Sequence, residues 1–234
     1  MKKDYIQGIR SALPIILGYI PIGFAFGVLA VQQGLSILEI GCMSTLVYAG
    51  SAQFIGAAMI ASGATTASIV MTTFLVNLRH LLMSASYSPY LKHIASPIQS
   101  LIAYGITDET YAVGIVHAEE TTHTNISANF FLGLHITSQA SWVVSTVLGG
   151  VLGNLIPDPA RWGIDFALSA MFIGLLLMQI KDKKDILVAV CAGGLSLLLA
   201  TGTSGHWNII IAALTAATIG VSIELWTKKL SLYS

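Results

Sequence analysis

One cation and two neighbouring acids stand out in a chain that is otherwise almost free of charge. Arg79, in Asn77-Leu78-Arg79-His80, follows about a dozen uncharged residues and precedes Leu81, Leu82 and Met83. A guanidinium in such a stretch is costly unless it faces a polar cavity, an acid or the carboxylate of a bound molecule. Asp108 and Glu109, in Thr107-Asp108-Glu109, are the acids inside another apolar stretch, so a pair between Arg79 and Asp108 or Glu109 is expected. Such a pair can be purely structural, or one acid can take up and release a proton. Asp108 is the first candidate for that proton and Glu109 the second.

A second group of residues could bind a zwitterion through backbone groups. Ala49-Gly50-Ser51-Ala52-Gln53 lies in the middle of an apolar run, where small residues permit a backbone break and the Gln53 amide requires a partner. Packing alone is the competing role, with Gly50 and Ser51 as helix contacts and Gln53 as one interhelical hydrogen bond. Pro14, Gly18, Pro21, Gly23 and Gly27 crowd the first apolar run, which predicts a kink or unwound turn near Pro21; Gly23 and Gly27, four apart, also suit a close-packing face. His135 is a packing histidine or a proton relay, Trp142 a packing or interfacial residue, and Asp165 a helix cap.

The elements that position these residues follow from composition. Of 234 residues 55% are apolar and 9% charged, against about 25% in soluble domains, and the mean hydropathy is +0.78. The chain is therefore expected in a lipid bilayer, with eight apolar segments of roughly helical spanning length at 11–31, 40–60, 65–86, 98–116, 128–153, 162–180, 186–200 and 208–226. This is an all-α polytopic membrane protein with broken helices and a single domain over 1–234. A seven-span or re-entrant variant is the alternative, because the seventh segment is short. Phe166-Ala167-Leu168-Ser169-Ala170-Met171-Phe172-Ile173-Gly174 repeats six of the nine residues of Tyr48 to Gly56. The echo suggests repeat halves at 8–116 and 128–227, and makes Ser169 the counterpart of Ser51.

Lys2, Lys3, Arg10, Lys181, Lys183, Lys184, Lys228 and Lys229 fall on one side of an eight-span chain, and only Lys92 and Arg161 on the other, which puts both termini in the cytoplasm. The acidic loop from His117 to Asn125 falls on the cytoplasmic side as well. The start resembles a secretory signal, but Pro14 and Pro21 interrupt the apolar run and similar segments follow, so it reads as a first span. Zero net charge without a basic stripe argues against nucleic acid. Cys42 and Cys191 read as small buried hydrophobes, and no cofactor or metal is expected.

Taken in order and spacing, Pro21 to Gly27, Ala49 to Phe54, Asn77 to His80, Thr107 to Glu109 and Gly163 to Phe172 resemble the AzlC family, the large subunits of bacterial branched-chain amino acid exporters. The likeness runs from about Gly8 to Thr227. It implies export of leucine, isoleucine and valine across the bacterial plasma membrane, with methionine as a further candidate, and a small membrane subunit of the AzlD type as partner. Ser169 departs from the proline expected there in many members. With this reading, Pro21, Gly23, Gly50, Ser51, Gln53, Asn77, Arg79 and Ser169 are the substrate-binding candidates, and Asp108, Glu109 and His135 the proton-coupling candidates.

Two other classes compete. A channel-like permease for another small solute would need a carbonyl filter or a ring of like charges, and neither pattern occurs. For an intramembrane enzyme, Gly202-Thr203-Ser204-Gly205 resembles a rhomboid serine motif, but the eighth segment has no histidine and His206 is too close to serve as base. Glu120-Thr121-Thr122-His123 has metal-ligand spacing without a second copy.

Overall fold

The computed structural model describes residues 2–121, 126–180, 182–201, 211–212 and 215–222. Among them the regular structure is helical throughout: α1 (Lys2–Ser11), α2 (Leu13–Gln32), α3 (Ile37–Cys42), α4 (Gly50–Ala61), α5 (Thr66–Leu91), α6 (Ser96–Tyr104), α7 (Asp108–Glu120), α8 (Ala128–Gly153), α9 (Ala167–Gln179) and α10 (Lys183–Ala200), with 215–222 helical as well. Helices α2 and α5 are long and apolar enough to cross a membrane by length and composition. The chain divides into Met1–Ser169 and Ala170–Ser234.

In the first unit, α8 is the scaffold on which α1 and α2 lie. A side chain on Gly8 would strike Phe130, one on Gly23 would strike Ser145, one on Gly27 would strike Thr146 and Gly150, and one on Gly153 would meet Val31 and Val28. These pairs advance together along both chains, so α1–α2 and α8 run in the same direction with their backbones nearly touching. Small residues permit this approach, which in lipid replaces hydrophobic burial as the source of helix affinity. Gly23 and Gly27 are thus a packing face.

The second apolar segment is broken. A capping box of Ser36 and Glu39 starts α3, a single π-helical turn follows over Met43–Val47, and Tyr48 ends it in the left-handed region at φ 44°. Helix α4 then restarts at Gly50. The fourth segment, expected to be continuous, is broken too: α6 ends at Gly105 and α7 restarts at Asp108. Helix α7 runs on to Glu120, so His117, Glu119 and Glu120 are helical and not in a loop. The unwound turn expected near Pro21 does not occur. Pro21 is exposed inside a continuous α2, because proline costs the helix one hydrogen bond while the turns that follow it are clamped on α8.

In the second unit, Val188 of α10 packs against Gly220. At the end of the first unit, the repeated nonapeptide from Phe166 follows on from two 3-10 turns, with Gly163 left-handed at φ 69°, and runs on into α9. Cys42 is exposed and Cys191 half-buried, so neither is the buried hydrophobe expected. Lys181, His123, Gly202 to Gly205, His206, Lys228, Lys229 and most of segment 208–226 lie outside the described residues.

Candidate functional site

The two interruptions meet at Arg79, near the middle of α5. Its guanidinium donates through Nη2 to Ser51 Oγ in the first turn of α4 at 2.6 Å, and through Nη1 it pairs with Asp108 Oδ2 in the first turn of α7 at 2.8 Å. Both half-helices therefore turn the positive ends of their dipoles toward one arginine. The pair is reachable, since the side chains of Arg79 and Asp108 keep 28% and 20% of their exposure. Among the described residues the buried amide oxygen of Asn77, two residues back, and the Arg79 Nε have no hydrogen-bond partner.

The start of α7 is self-satisfied. Thr107 and Thr110 form a reciprocal cap, with Thr107 N–H donating to Thr110 Oγ1 at 2.8 Å and Thr110 N–H to Thr107 Oγ1 at 3.3 Å. Asp108 and Glu109 add negative charge in the first turn, where the dipole favours it. Tyr19 of α2 completes the arrangement: its hydroxyl donates to Glu109 Oε2 at 2.8 Å and lies 2.7 Å from Thr107 Oγ1. Among the described residues Glu109 has no cationic partner.

The start of α4 has no such cap. Ala49 is its N-cap and gives no side-chain hydrogen bond, which leaves the first-turn amides of α4 without a side-chain cap among the described residues, in the same turn whose Ser51 Oγ meets Arg79. What holds the break is a buried chain of hydrogen bonds: Trp142 Nε1 to Gln53 Oε1 at 2.9 Å, Gln53 Nε2 to Ser44 Oγ at 3.0 Å, and Thr146 Oγ1 to Ser44 Oγ at 2.8 Å. Gln53 is fully buried with its oxygen and one amide proton engaged. Trp142, stacked edge-on against Tyr19 with centroids 5.1 Å apart, is an interior hydrogen-bond donor.

The structure brings together Gly50, Ser51, Arg79, Asp108 and, through Tyr19, Glu109. Gln53 stands behind them. His135 lies on α8, packed against Gly105 at the second break. Pro21 is exposed, Gly23 packs on Ser145, and Ser169 is exposed near the start of α9 with no hydrogen bond to the cluster among the described residues. Phe24 lines a cavity of about 530 Å³ with Leu155, Ile156, Pro157, Trp162 and Ile164, whereas Phe54 packs edge-on against Phe26 with centroids 5.2 Å apart. Tyr19, Tyr48, Ser44 and Thr146 escaped the sequence reading. Tyr48 carried a signal, since it precedes the small-residue run.

An apolar chain, helical through its described residues, with two interrupted helices converging on one accessible ion pair has the build of a membrane protein with a polar centre. It belongs to the AzlC family, whose model, described as AzlC protein, matches residues 14–156. That stretch contains both breaks, Arg79, the two acids and His135. The chain is 32% identical over 194 residues to "Inner membrane protein YgaZ" of Escherichia coli K12, covering 81% of this chain and 79% of that one. It is 34% identical over 214 residues to an uncharacterized membrane protein of Archaeoglobus fulgidus, covering 89% and 90%. It is also 26% identical over 214 residues to "Branched-chain amino acid transport protein AzlC" of Bacillus subtilis 168, covering 89% and 80%. No solved structure matches the chain.

Proposed function

We propose that this chain is the large subunit of a proton-coupled secondary transporter that exports branched-chain amino acids from the bacterial cytoplasm, together with a small membrane subunit of the AzlD type. The observation that carries the reading is the bridge from Arg79 to the first turns of two half-helices, one of them uncapped. A zwitterion needs donors for its carboxylate and an acceptor for its ammonium group. Arg79, Ser51 and the amides from Gly50 onward supply the donors, and Asp108 supplies the acceptor once the incoming carboxylate competes for Arg79. Asn77 adds a buried amide oxygen. Gln53, Ser44 and Trp142 position the break and do not touch the cargo.

In this account the coupling proton resides on the acids at the start of α7, Asp108 or Glu109, with His135 as a relay. The named relative in Bacillus subtilis supports the cargo class. The parallel packing of α2 and α8 supports the first part of the topology, since helices running the same way need an odd number of crossings between them, and α3–α4, α5 and α6–α7 supply three. With the basic residues of α1 in the cytoplasm, both termini of the full eight-span chain face inward.

Cells producing the chain with its partner should survive toxic leucine or valine analogues. Gln53→Ala should remove that protection while the protein remains in the membrane. Undiminished protection with Gln53→Ala would reduce the Ser44–Gln53–Trp142 chain to packing.

A further inference from the structure

Between the two helix breaks lie three polar side chains that find no hydrogen bond among the described residues. Tyr48 is 3% exposed, His135 3% and Ser138 0%, and the Tyr48 hydroxyl, both His135 ring nitrogens and Ser138 Oγ are all unpartnered. They belong to one neighbourhood. His135 packs on Gly105, Tyr104 donor-acceptor contact runs from Gln139 Nε2 to its hydroxyl at 2.8 Å, and the Tyr104 ring lies 6.5 Å from that of Tyr48. Ser138 follows His135 by one turn of α8, beside Gln139. The Ile102 carbonyl approaches His135 and the Tyr19 hydroxyl approaches Tyr48 as weak polar neighbours, each short of full hydrogen-bond distance and angle. The backbone tells the same story, because Tyr48 is the one non-glycine residue at positive φ among those described. Strain of that kind persists where surrounding structure enforces it and it gathers at functional sites.

We propose that Tyr48, His135 and Ser138 share a small cluster of bound water, and that this hydrated pocket carries the coupling proton between His135 and Glu109 by way of the Tyr19 hydroxyl. Leaving a buried hydroxyl or imidazole unsatisfied costs about 1–3 kcal/mol each, and water bridging polar groups too far apart for direct contact removes that cost. Each hydroxyl or water along the route gives up one proton and receives another, so a proton lost by imidazolium appears on the Glu109 carboxylate and no heavy-atom bond changes. The titratable and charged groups facing this region are Tyr19 from α2, Tyr48 from the π-turn, Arg79 from α5, Tyr104 from α6, and Asp108 and Glu109 from α7; Asp4 and Tyr5 of α1 and His117 of α7 lie toward the start of α8. Asp108 is engaged by Arg79, or by the ammonium group of the cargo once that is bound, which leaves Glu109 as the acid for the proton. The proton role rests on the transport reading above, whereas the water does not.

Hydroxyl-radical labelling in heavy-oxygen water tests the pocket on the complex in lipid nanodiscs. Tyr48 and His135 should take up label despite their burial, and Ser138→Leu, which removes one polar partner and adds apolar bulk beside His135, should suppress it at both. Labelling of exposed tyrosines with none at Tyr48 and His135 would overturn the proposal. In proteoliposomes, Tyr48→Phe should lower export driven by a pH gradient by roughly a hundredfold and leave leucine exchange at equal pH unchanged. Unchanged gradient-driven export in Tyr48→Phe would also overturn it. If the unmodified protein moves no leucine at all, the transport reading falls and takes the proton path with it, while the labelling still decides whether the pocket holds water.

Discussion

The two interrupted helices solve the same problem in opposite ways. A break inside a membrane leaves amide donors at the restarted end that lipid cannot satisfy. At the second break the chain satisfies them itself: Thr107 and Thr110 cap α7, Asp108 and Glu109 complement its dipole, and Gly105 ends α6 without strain. At the first break it does not. Tyr48 is held at φ 44°, Ala49 offers no side-chain oxygen, and α4 begins uncapped beside Arg79. The second break is a finished structure that lends its surplus negative charge, whereas the first leaves its amides uncapped among the described residues, which is where the proposed function puts the carboxylate of the cargo.

Arg79 is where the comparison breaks most readily, because it serves both ends. Arg79→Gln strands Asp108 in a partly buried site, and loss of one partner there should cost up to about 3 kcal/mol, seen as less folded protein in the membrane. Asp108→Asn together with Arg79→Gln should recover abundance and not transport. Transport by the double variant would show that the cation is only structural. The caps sharpen the contrast next. Thr107→Ala should destabilise the protein by about 1 kcal/mol, read as a lower Tm in nanodiscs. Ala49→Ser, which gives α4 the cap it lacks, should raise stability by about 0.5 kcal/mol and yet weaken leucine binding; unaltered binding would mean that the α4 amides are not used.

The smallest effect lies at the start of α3, outside the apolar segment. The Ser36 hydroxyl and its backbone amide hold the Glu39 carboxyl below its ordinary value of 4.5. A lowered carboxylate pKa contributes stability that is fully present above the ordinary value and is lost as pH falls through the lowered one. Glu39→Gln should therefore flatten a shallow decline in Tm below about pH 4.5 and change nothing at neutral pH. An unchanged acid limb would remove this capping box from the account.

Hydropathy and polarity made part of this legible in advance. The small residues Ala49 to Ala52 pointed to a break, which lies just before them at the π-turn and Tyr48 while Gln53 sits inside continuous α4, and Arg79 called for an acid that Asp108 provides. The second break was hidden. Its signals, Gly105 and the pair Thr107 and Thr110, are ordinary residues in a helix of this composition, and their meaning depends on the cap they form in space. Pro21 misled in the other direction, since its density of neighbours suggested unwinding while the packing of α2 on α8 keeps the helix whole. Tyr19 and Tyr48 could not be assigned from sequence, because a membrane tyrosine reads as an interfacial anchor until its hydroxyl is placed.

In the proposed function Arg79 and the uncapped start of α4 receive the carboxylate of an aliphatic amino acid, and analogue competition measures that contact directly. Radiolabelled leucine bound to the purified complex in nanodiscs should be displaced by leucine and valine, weakly by leucinamide and isoamylamine, which lack the carboxylate, and Arg79→Gln should bind none. Displacement by leucinamide as effective as by leucine, or full leucine binding in a folded Arg79→Gln protein, would contradict it.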